Sequence, residues 1–271
     1  MKSVILCADD YALNESVSRG IVALVEAGRL SATSVMTLSP RWAMDAAVLA
    51  PWRGRIDVGL HLDWTSEFAL AAGHGAPLGA LMRRSYWPGL APAQVRTEVQ
   101  RQLDRFEQHW GAPPDHVDGH QHVQQFPGLR QAVVDILAQR YPSGPRPYLR
   151  ISRPVAWQGG LKGRVIAGMG ASALQRLARS RGLAVAPFLS GIDEFQSDVA
   201  GYAQSMSRWL AEAPDACLIM CHPALAAEPS DEIGPARLRE WTYLSSPAFV
   251  AALQQAQVQL ARGQTLFAPT P

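Results

Sequence analysis

A seven-residue segment in the middle of the chain holds three histidines and one aspartate, at His116, Asp118, His120 and His122. The whole chain has 7 histidines, so this segment is strongly enriched in imidazole. A solvated polar loop would use Lys, Glu or Ser instead. In an extended segment, the H-x-H spacing places two imidazoles on the same side. Imidazole together with carboxylate suits Zn, Fe or Co, and Mg or Mn where more oxygen ligands are added. The pattern predicts a metal centre.

Three further polar residues, Asp9, Asp10 and His61, lie at the ends of apolar runs. Asp9 and Asp10 end the run Val4–Ala8, and adjacent like charges raise the pKa of one another. One of them could cap the helix that follows, which is the commoner use of Asp at such a turn. Because side chains alternate along a strand, one carboxylate could instead bind a metal while its neighbour faces a bound water. His61 also ends an apolar run. It could be a metal ligand or a structural residue held by hydrogen bonds.

Six other side chains are candidates on chemical grounds. His222 precedes Pro223 after an apolar run, where it is either a core histidine or a general acid whose pKa lies near neutrality. Arg150 could pair with a catalytic Asp, hold a substrate oxygen or form a surface ion pair. Four aromatic residues in predicted loops could stack on sugar rings or cover the edge of the core: Trp64, Trp87, Trp241 and Tyr243.

Short apolar runs alternate with helical patterns along the chain, which predicts a mostly parallel sheet covered by helices. The predicted strands are Val4–Ala8, Ala32–Leu38, Ile56–Leu62, His116–Gly119, Tyr148–Ile151, Val185–Leu189 and Ala216–Cys221. The predicted helices are Glu15–Gly28, Trp42–Ala50, Ala93–Trp110, Gly128–Gln139, Ala171–Arg181, Val199–Glu212 and Ser246–Arg262, with Asn14 capping the first. The segment Ala69–Pro92, rich in Gly and Pro, is predicted as a long loop that could act as a lid.

About seven βα units in 271 residues predict one domain over residues 1–271, a TIM-like and somewhat irregular (β/α) barrel. Asp10, His61, His120, Arg150 and His222 all fall at or just after the C-terminal ends of predicted strands. That end of an α/β barrel carries the chemistry. We therefore expect these side chains to meet on one rim.

Composition excludes several other classes of protein. Lys plus Arg is 25 and Asp plus Glu is 23, a formal net charge of +2, which gives no reason to expect nucleic acid or an anionic membrane as a partner. The three cysteines do not make a disulfide framework, and Cys217 and Cys221 are expected to be buried thiols. Neither a signal peptide nor a membrane-spanning apolar stretch is found. A soluble, cytoplasmic protein is expected.

Four motifs in the same order resemble the YdjC-like (ChbG/HpnK) carbohydrate deacetylases across nearly the whole chain. The segment Ala8–Leu13 is similar to the A-D-D-F-G-L opening of that family, and Gly59–Leu62 to its G-x-H-x segment. His116–Val123 resembles its H-x-D-x-H-x-H core, and His222-Pro223 its late His-Pro motif. Three positions depart from the family pattern: Tyr11-Ala12 replaces Phe-Gly, Gln124 replaces a histidine common in the family, and Ala224 replaces a glycine. We expect the first and third departures to change packing and the second to change substrate contacts.

The resemblance implies a barrel enzyme that hydrolyses the acetamido group of an N-acetylated sugar, free or lipid-linked, with Mg²⁺ or Zn²⁺. It implies Asp10, His61 and His120 as metal ligands, although the choice between His120 and His122 stays open. Asp9 would then be the base and His222 the acid. The supporting or substrate-binding residues would be His122, Asp118, His116, Arg150 and Trp64. A homodimer is a further open prediction.

Two other functions are compatible with the residues alone. Rims of Asp and His on barrels serve many chemistries, so a metal-dependent phosphoesterase is one alternative. A catalytically silent barrel that binds sugar or metal is the other. Assays on acetylated sugars and on phosphate esters in parallel would separate these functions.

Overall fold

Strands in the described part of the chain pair in parallel with their neighbours, as expected when each is followed by a helical crossover. The computed structural model describes residues 1–87, 89–144, 146–155 and 160–267. Its strands are β1 (Lys2–Tyr11), β2 (Ala32–Val35), β3 (Asp57–Leu62), β4 (His116–Gly119), β5 (Tyr148–Arg150), β6 (Val185–Ala186), β7 (Leu189–Ser190), β8 (Cys217–Cys221) and β9 (Val258–Leu260).

Helices separate most of these strands in the chain. They are α1 (Glu15–Glu26), α2 (Trp42–Leu49), α3 (Glu67–Ala71), α4 (Leu78–Tyr86), α5 (Pro92–Trp110), α6 (Leu129–Arg140), α7 (Gly160–Gly168), α8 (Ala171–Ser180), α9 (Val199–Glu212), α10 (Gly234–Leu244), α11 (Pro247–Gln255) and α12 (Gly263–Leu266). Two short 3₁₀ helices cover Ala50–Trp52 and His120–Gln125.

The strands lie side by side in the order β6-β5-β4-β3-β2-β1-β8-β7, and β9 pairs with the start of β1. The two outer strands of this path are only two residues apart in the chain, and Leu189 of β7 also bridges Pro154 after β5. The sheet thus curves into a nearly closed barrel, which confirms the predicted (β/α) fold. The path has eight strands in the described residues, where about seven were predicted.

The additional strand on this path arises because the predicted strand Val185–Leu189 is divided. Val185 pairs with β5 and Leu189 with β8, so the chain changes partners between them. Pro187 lies at this change, and proline has no N–H for a strand ladder.

The first βα unit shows how the sequence sets up the rim. The strand β1 is buried from Val4 onward, and α1 packs its apolar face, including Val17 and Ile21, against the core. Asn14 caps α1, since its side-chain oxygen accepts a hydrogen bond from Val17 N at 2.8 Å. The cap prediction for Asn14 is confirmed, and the two aspartates are left free for other contacts.

Several predicted boundaries are wrong. The segment Ala69–Pro92 is not one long loop, because α4 begins after Pro77 and anchors itself through the buried Leu81; Pro88 lies outside the described residues. The predicted helix Ser246–Arg262 ends at Gln255, and the left-handed Gln257 (φ 53°) turns the chain into β9. The helices α7 and α10 were not predicted, and α10 contains Trp241 and Tyr243, which were expected in loops.

Two predictions from composition can be compared with the structure. Cys217 and Cys221 are buried free thiols, as expected, and so is Cys7. Within the residues that the structure describes, no helix combines the length and apolar character needed to cross a membrane.

Candidate active site

The C-terminal ends of the barrel strands bring the predicted polar side chains together. Asp9 and Asp10 lie near the end of β1, His61 in β3 and Arg150 at the end of β5, and His222 follows β8. Each of the two aspartates contacts side chains from other strands or from the loops after them. The structure therefore assembles on one rim the residues that the sequence placed there.

A break in the regular geometry of β1 directs both carboxylates into the rim. Between Ala8 and Tyr11 the register against β2 shifts by one residue, and Asp10 adopts a left-handed conformation with φ 68°. In a regular strand, neighbouring side chains would point to opposite faces. Here the bulge allows Asp9 and Asp10 to serve the same site, so the expected alternation does not hold. A left-handed Asp is uncommon, and such strain is often found at functional sites.

Asp10, His61 and His120 form the candidate metal group. The Oδ1 atom of Asp10 lies 3.3 Å from His61 Nε2 and 3.1 Å from His120 Nδ1. The three ligand atoms all lie within 4.8 Å of one another. Two imidazole nitrogens and one carboxylate oxygen converging in this way are a suitable donor set for a divalent metal, with further positions for water or substrate. The residues present therefore fit a metal ion.

Asp118 holds His61 in the orientation that this group needs. Its Oδ1 lies 2.6 Å from His61 Nδ1, so Nε2 is the nitrogen that faces Asp10. Burial lowers the pKa of His61, but the carboxylates of Asp118 and Asp9 raise it to about 10. In metal-free protein at neutral pH, a metal must therefore displace a proton from this ring. A carboxylate behind a ligating histidine is the usual outer support of a metal site.

Arg237 is the first residue of the site that sequence reasoning missed. Its Nη2 donates to Asp10 Oδ2 at 2.7 Å, and its Nε donates to Asp231 Oδ2 at 2.5 Å. Burial alone would raise the pKa of Asp10, but Arg237 and His120 hold it well below its usual range. Asp10 is thus kept ionised, with Oδ1 left to face the two imidazoles.

Replacing Arg237 by Met is expected to destabilise the metal-free protein by about 3–5 kcal/mol, because Asp10 would keep a buried charge without its partner. The loss should shrink when Zn²⁺ is present, since the ion would supply positive charge at the same carboxylate. Denaturant unfolding with and without a chelator measures both quantities. The exposed pair of Arg19 and Glu15 provides the control, because Arg19→Met should change stability by less than about 1 kcal/mol. Equal destabilisation with and without metal would contradict the expectation.

Asp9 is held by a fully buried arginine. Arg150 Nη1 and Nη2 donate to the two carboxylate oxygens of Asp9 at 2.8 and 2.9 Å. The Cys7 thiol also donates to Asp9 Oδ1, at 3.6 Å. Arg150 further contacts Asp118 Oδ2 at 3.1 Å. Arg150 therefore makes a buried two-pronged pair, not a surface ion pair, and it fixes the orientation of Asp9.

His222 lies between two carboxylates. Its Nε2 is 3.9 Å from Asp9 Oδ2, and its Nδ1 is 4.0 Å from Glu240 Oε1. The ring of Phe195 meets it edge to face, with centroids 5.6 Å apart. Burial lowers the pKa of His222 to about 4, although Asp9 partly offsets this. His222 is therefore neutral at pH 7, and an acid role requires that it gain a proton during the reaction.

Glu240 on α10 is a second residue that the sequence did not indicate. Its Oε2 accepts a hydrogen bond from the backbone N–H of His222 at 2.6 Å and from the Tyr202 hydroxyl at 3.3 Å. Burial raises the pKa of Glu240 to about 7, and the hydrogen bond from His222 N lowers it in part. The pKa of Glu240 is higher in the folded state than in the unfolded chain, where it is about 4.3. Glu240 therefore stabilises the fold most when the pH is below about 4.3. This contribution is lost as the pH rises towards 7.

The variant Glu240→Gln should remove that dependence. We expect its free energy of unfolding to rise relative to the natural protein by up to about 3 kcal/mol between pH 4.5 and pH 7, and then to stay level. Urea unfolding at half-unit pH steps gives the difference. A difference that does not change with pH would contradict the expectation.

The expectation that His120 and His122 point the same way from an extended segment is wrong. The strand ends at Gly119, and Gln121 and His122 are left-handed, with φ 52° and 63°. His120 meets Asp10, whereas His122 Nδ1 lies 3.0 Å from the Ser152 hydroxyl. Burial and the charge of Arg150 lower the pKa of His122. Among the described residues, the metal group with Asp10 contains His120 and not His122.

Three other residues singled out in the sequence, Trp64, Gln124 and His116, are buried and contact other protein side chains or backbone. Trp64 is 2% exposed and packs edge to face against His74, with centroids 5.6 Å apart, so its ring has no open face for a sugar. Gln124 is fully buried and donates hydrogen bonds to Arg150 O and Ser152 Oγ. The structure therefore does not support the expectation that Gln124 contacts the substrate. His116 lies deeper in the barrel, where Ser34 connects it to Asp118.

Comparison with known proteins identifies relatives over almost the full chain. A family model described as "YdjC-like protein" matches residues 3–255. A chitooligosaccharide deacetylase of Serratia marcescens is 27% identical over 271 aligned positions, covering 94% of this chain and 95% of that protein. A carbohydrate deacetylase of Geobacillus stearothermophilus is 26% identical and covers 94% of each chain.

The fold also has a counterpart among solved structures. A proposed cellobiose-phosphate cleavage protein of Enterococcus faecalis superposes with a TM-score of 0.74. The superposition covers 98% of this chain and 99% of that one, at 18% sequence identity. At this identity the similarity concerns the fold, and it agrees with the (β/α) barrel described above.

Proposed function

The chain belongs to the YdjC-like protein family, and from this premise we propose that it is a metal-dependent hydrolase that removes the acetyl group from an N-acetylated amino sugar. One observation supports this most strongly: the group of Asp10, His61 and His120 lies directly beside the pair of Asp9 and Arg150. A metal group next to a fixed carboxylate base is an arrangement suited to the hydrolysis of an amide. The relatives named as carbohydrate deacetylases support an acetylated sugar as the substrate.

Asp10, His61 and His120 would hold the ion. A divalent metal at this group supplies a Lewis acid for the acetamide oxygen and lowers the pKa of water. Two of the three protein ligands are imidazoles, which favours Zn²⁺ over Mg²⁺, because Mg²⁺ prefers oxygen. Arg237 and Asp118 orient the carboxylate and the His61 ring before the substrate arrives.

Asp9 is the proposed base. Arg150 holds its carboxylate by two hydrogen bonds, and the remaining lone pairs are available to take a proton from water as that water attacks the carbonyl carbon. The hydroxide ends on the acetyl group, and the bond between the carbonyl carbon and the sugar nitrogen breaks. Arg150 also keeps the charge of Asp9 paired within the buried site.

His222 is the proposed proton donor to the departing nitrogen. It is neutral at pH 7, so the proton has to reach the ring first. Asp9 Oδ2, 3.9 Å from Nε2, is the carboxylate that faces this nitrogen, and it has just received the proton of the water. Passing this proton through His222 to the amine balances the reaction, which yields a free amino sugar and acetic acid, and the acid ionises to acetate at neutral pH.

Parallel assays on metal-loaded protein test the proposal. N,N′-diacetylchitobiose and other N-acetylhexosamine conjugates should release acetate, while p-nitrophenyl phosphate should release no phosphate above the buffer rate. Faster hydrolysis of phosphate esters would favour a phosphoesterase. Binding of the sugars without turnover, with the metal present, would favour a silent binding protein. Either outcome overturns the proposal.

A further inference from the structure

We propose that Ser34 and His116 form a directed hydrogen-bond chain that fixes which nitrogen of His61 is free to bind a metal. Both are positioning residues, because they act through Asp118 and touch neither the metal group nor the base. The proposal rests on the proposed metal site and goes beyond it, since it assigns a role to a serine that no motif includes.

The chain of contacts is short and fully buried. The Ser34 hydroxyl on β2 lies 2.9 Å from His116 Nε2 and 2.5 Å from Asp118 Oδ2. The other oxygen of Asp118 lies 2.6 Å from His61 Nδ1. Ser34, His116 and Asp118 each have 0% of their surface exposed. Bulk solvent can therefore not replace a missing partner in this row of hydrogen bonds.

The direction of the chain follows from the number of protons available. Arg150 Nη1, at 3.1 Å, can only donate, so Asp118 Oδ2 is an acceptor. The Ser34 hydroxyl has one proton, and it is directed to this carboxylate oxygen. The Ser34 oxygen must then accept a hydrogen bond from His116, which places the His116 proton on Nε2. Among the residues that the structure describes, none forms a hydrogen bond with His116 Nδ1, which agrees with a nitrogen that carries no proton.

His116 is held from both sides of its ring. The Tyr148 ring stacks on it, with ring centroids 5.2 Å apart and an angle of 24° between the ring planes. On the other strand, a Cβ atom at Gly59 would collide with the imidazole, so Gly59 provides the space for the ring. The Tyr148 hydroxyl is in turn held by Asp57 at 3.2 Å. The position of the His116 ring is therefore fixed, and through its contact with Ser34 it helps to fix the position of Asp118.

A second metal ion is the competing use of these side chains. Cys7, His116 and Asp118 also have ligand atoms within 4.8 Å of one another. However, the Arg150 guanidinium already lies 3.1 Å from Asp118 Oδ2, and its charge opposes a cation there. Ser34 also connects His116 to Asp118 directly. The cluster is therefore assigned to hydrogen bonding, and one metal ion per chain is expected.

Zinc affinity and stoichiometry, measured by competition with a chromophoric chelator, test the proposal. Ser34→Ala should weaken Zn²⁺ binding about 10- to 100-fold, the range for outer support of a metal ligand. Ser34→Thr, which restores the hydroxyl, should recover affinity to within a few fold. The matched control is Thr33→Val on the same strand. It also removes a hydroxyl, but the Thr33 hydroxyl donates to Ala8 O at 2.8 Å and is not part of the hydrogen-bond chain through Ser34. Thr33→Val should lower the melting temperature and leave the affinity within about twofold of the natural protein.

Equal zinc affinities for Ser34→Ala and Thr33→Val would overturn the proposal. So would a second zinc equivalent that His116→Asn abolishes. Long-range ¹H–¹⁵N spectra of the histidine rings give a readout that needs no metal: His116 should be the Nε2–H tautomer, and the Nδ1–H tautomer would refute the direction of the chain. The failure of this proposal can be distinguished from the failure of the proposed function. A protein whose zinc affinity depends on Ser34 as expected, but that releases no acetate, would contradict the proposed function alone.

Discussion

The Asp9→Asn protein is expected to lose acetate release by about 10²- to 10⁴-fold in kcat, the usual contribution of a general base. The asparagine amide keeps the shape of the side chain but cannot take a proton from water at neutral pH. Zinc affinity should stay within a few fold, because Asp9 is paired with Arg150 and is not one of the three proposed ligands, Asp10, His61 and His120. The loss should therefore appear in turnover and not in metal content.

Steady-state assays on zinc-loaded protein, with the zinc content of each sample measured, check this expectation. Asp45→Asn is the matched control, since Asp45 is also buried and pairs with an arginine, Arg41, at 3.1 Å on the outer helix α2. That variant removes a similar ion pair whose carboxylate contacts Arg41 and Ser18 and none of the proposed catalytic or metal-binding residues, and it should keep kcat. Wild-type turnover in Asp9→Asn, with Asp9 replaced in every molecule, would remove Asp9 from the mechanism.

The second large effect is expected for His61→Ala. This change removes one of the three proposed protein ligands and leaves Asp118 Oδ1 without its hydrogen-bond donor. Zinc affinity should fall by more than about 100-fold, beyond the range for residues that only support a ligand. Acetate release should fall with it at limiting zinc.

His74→Ala provides the comparison for His61→Ala. His74 is also a buried histidine, but it packs against Trp64 and lies outside the metal group. Its replacement should lower stability and leave zinc affinity unchanged. If His61→Ala bound zinc as tightly as His74→Ala does, the assigned ligand set would be wrong.

The sequence was sufficient to place the rim, for a simple physical reason. Parallel strands separated by helices have their C-terminal ends on one side, so polar residues at successive strand ends must meet. Asp10, His61 and Arg150 follow this rule directly. The hydrophobic patterns of α1 and α5 and the cap at Asn14 also predicted the surrounding helices well.

The residues that were missed lie where the usual patterns fail. Arg237 and Glu240 are on α10, whose buried face includes Arg237, Arg239 and Glu240, so no apolar stripe marks the helix. Ser34 stands in a wholly buried strand, and its role depends on β2 lying near His116 and Asp118, which the chain order alone does not show.

Local backbone geometry explains the wrong details. The left-handed Asp10 and His122 break the side-chain alternation on which the predictions for Asp9, Asp10 and the H-x-H segment depended. Tertiary contacts determine such conformations, and non-glycine residues adopt them only rarely. A cytoplasmic location, one domain over the full chain and a homodimer stay predictions.

The most direct test of the account follows acetate and free amine by ¹H NMR in one sample of N,N′-diacetylchitobiose. Zinc-loaded protein should release one acetate for each amine that appears, a chelator should stop the reaction, and added zinc should restart it. The Asp9→Asn protein, with zinc bound, should remain inactive through the same cycle. Acetate release that continues in the presence of the chelator would contradict the proposed metal dependence. Acetate release by the Asp9→Asn protein at the rate of the natural protein would contradict the proposed base.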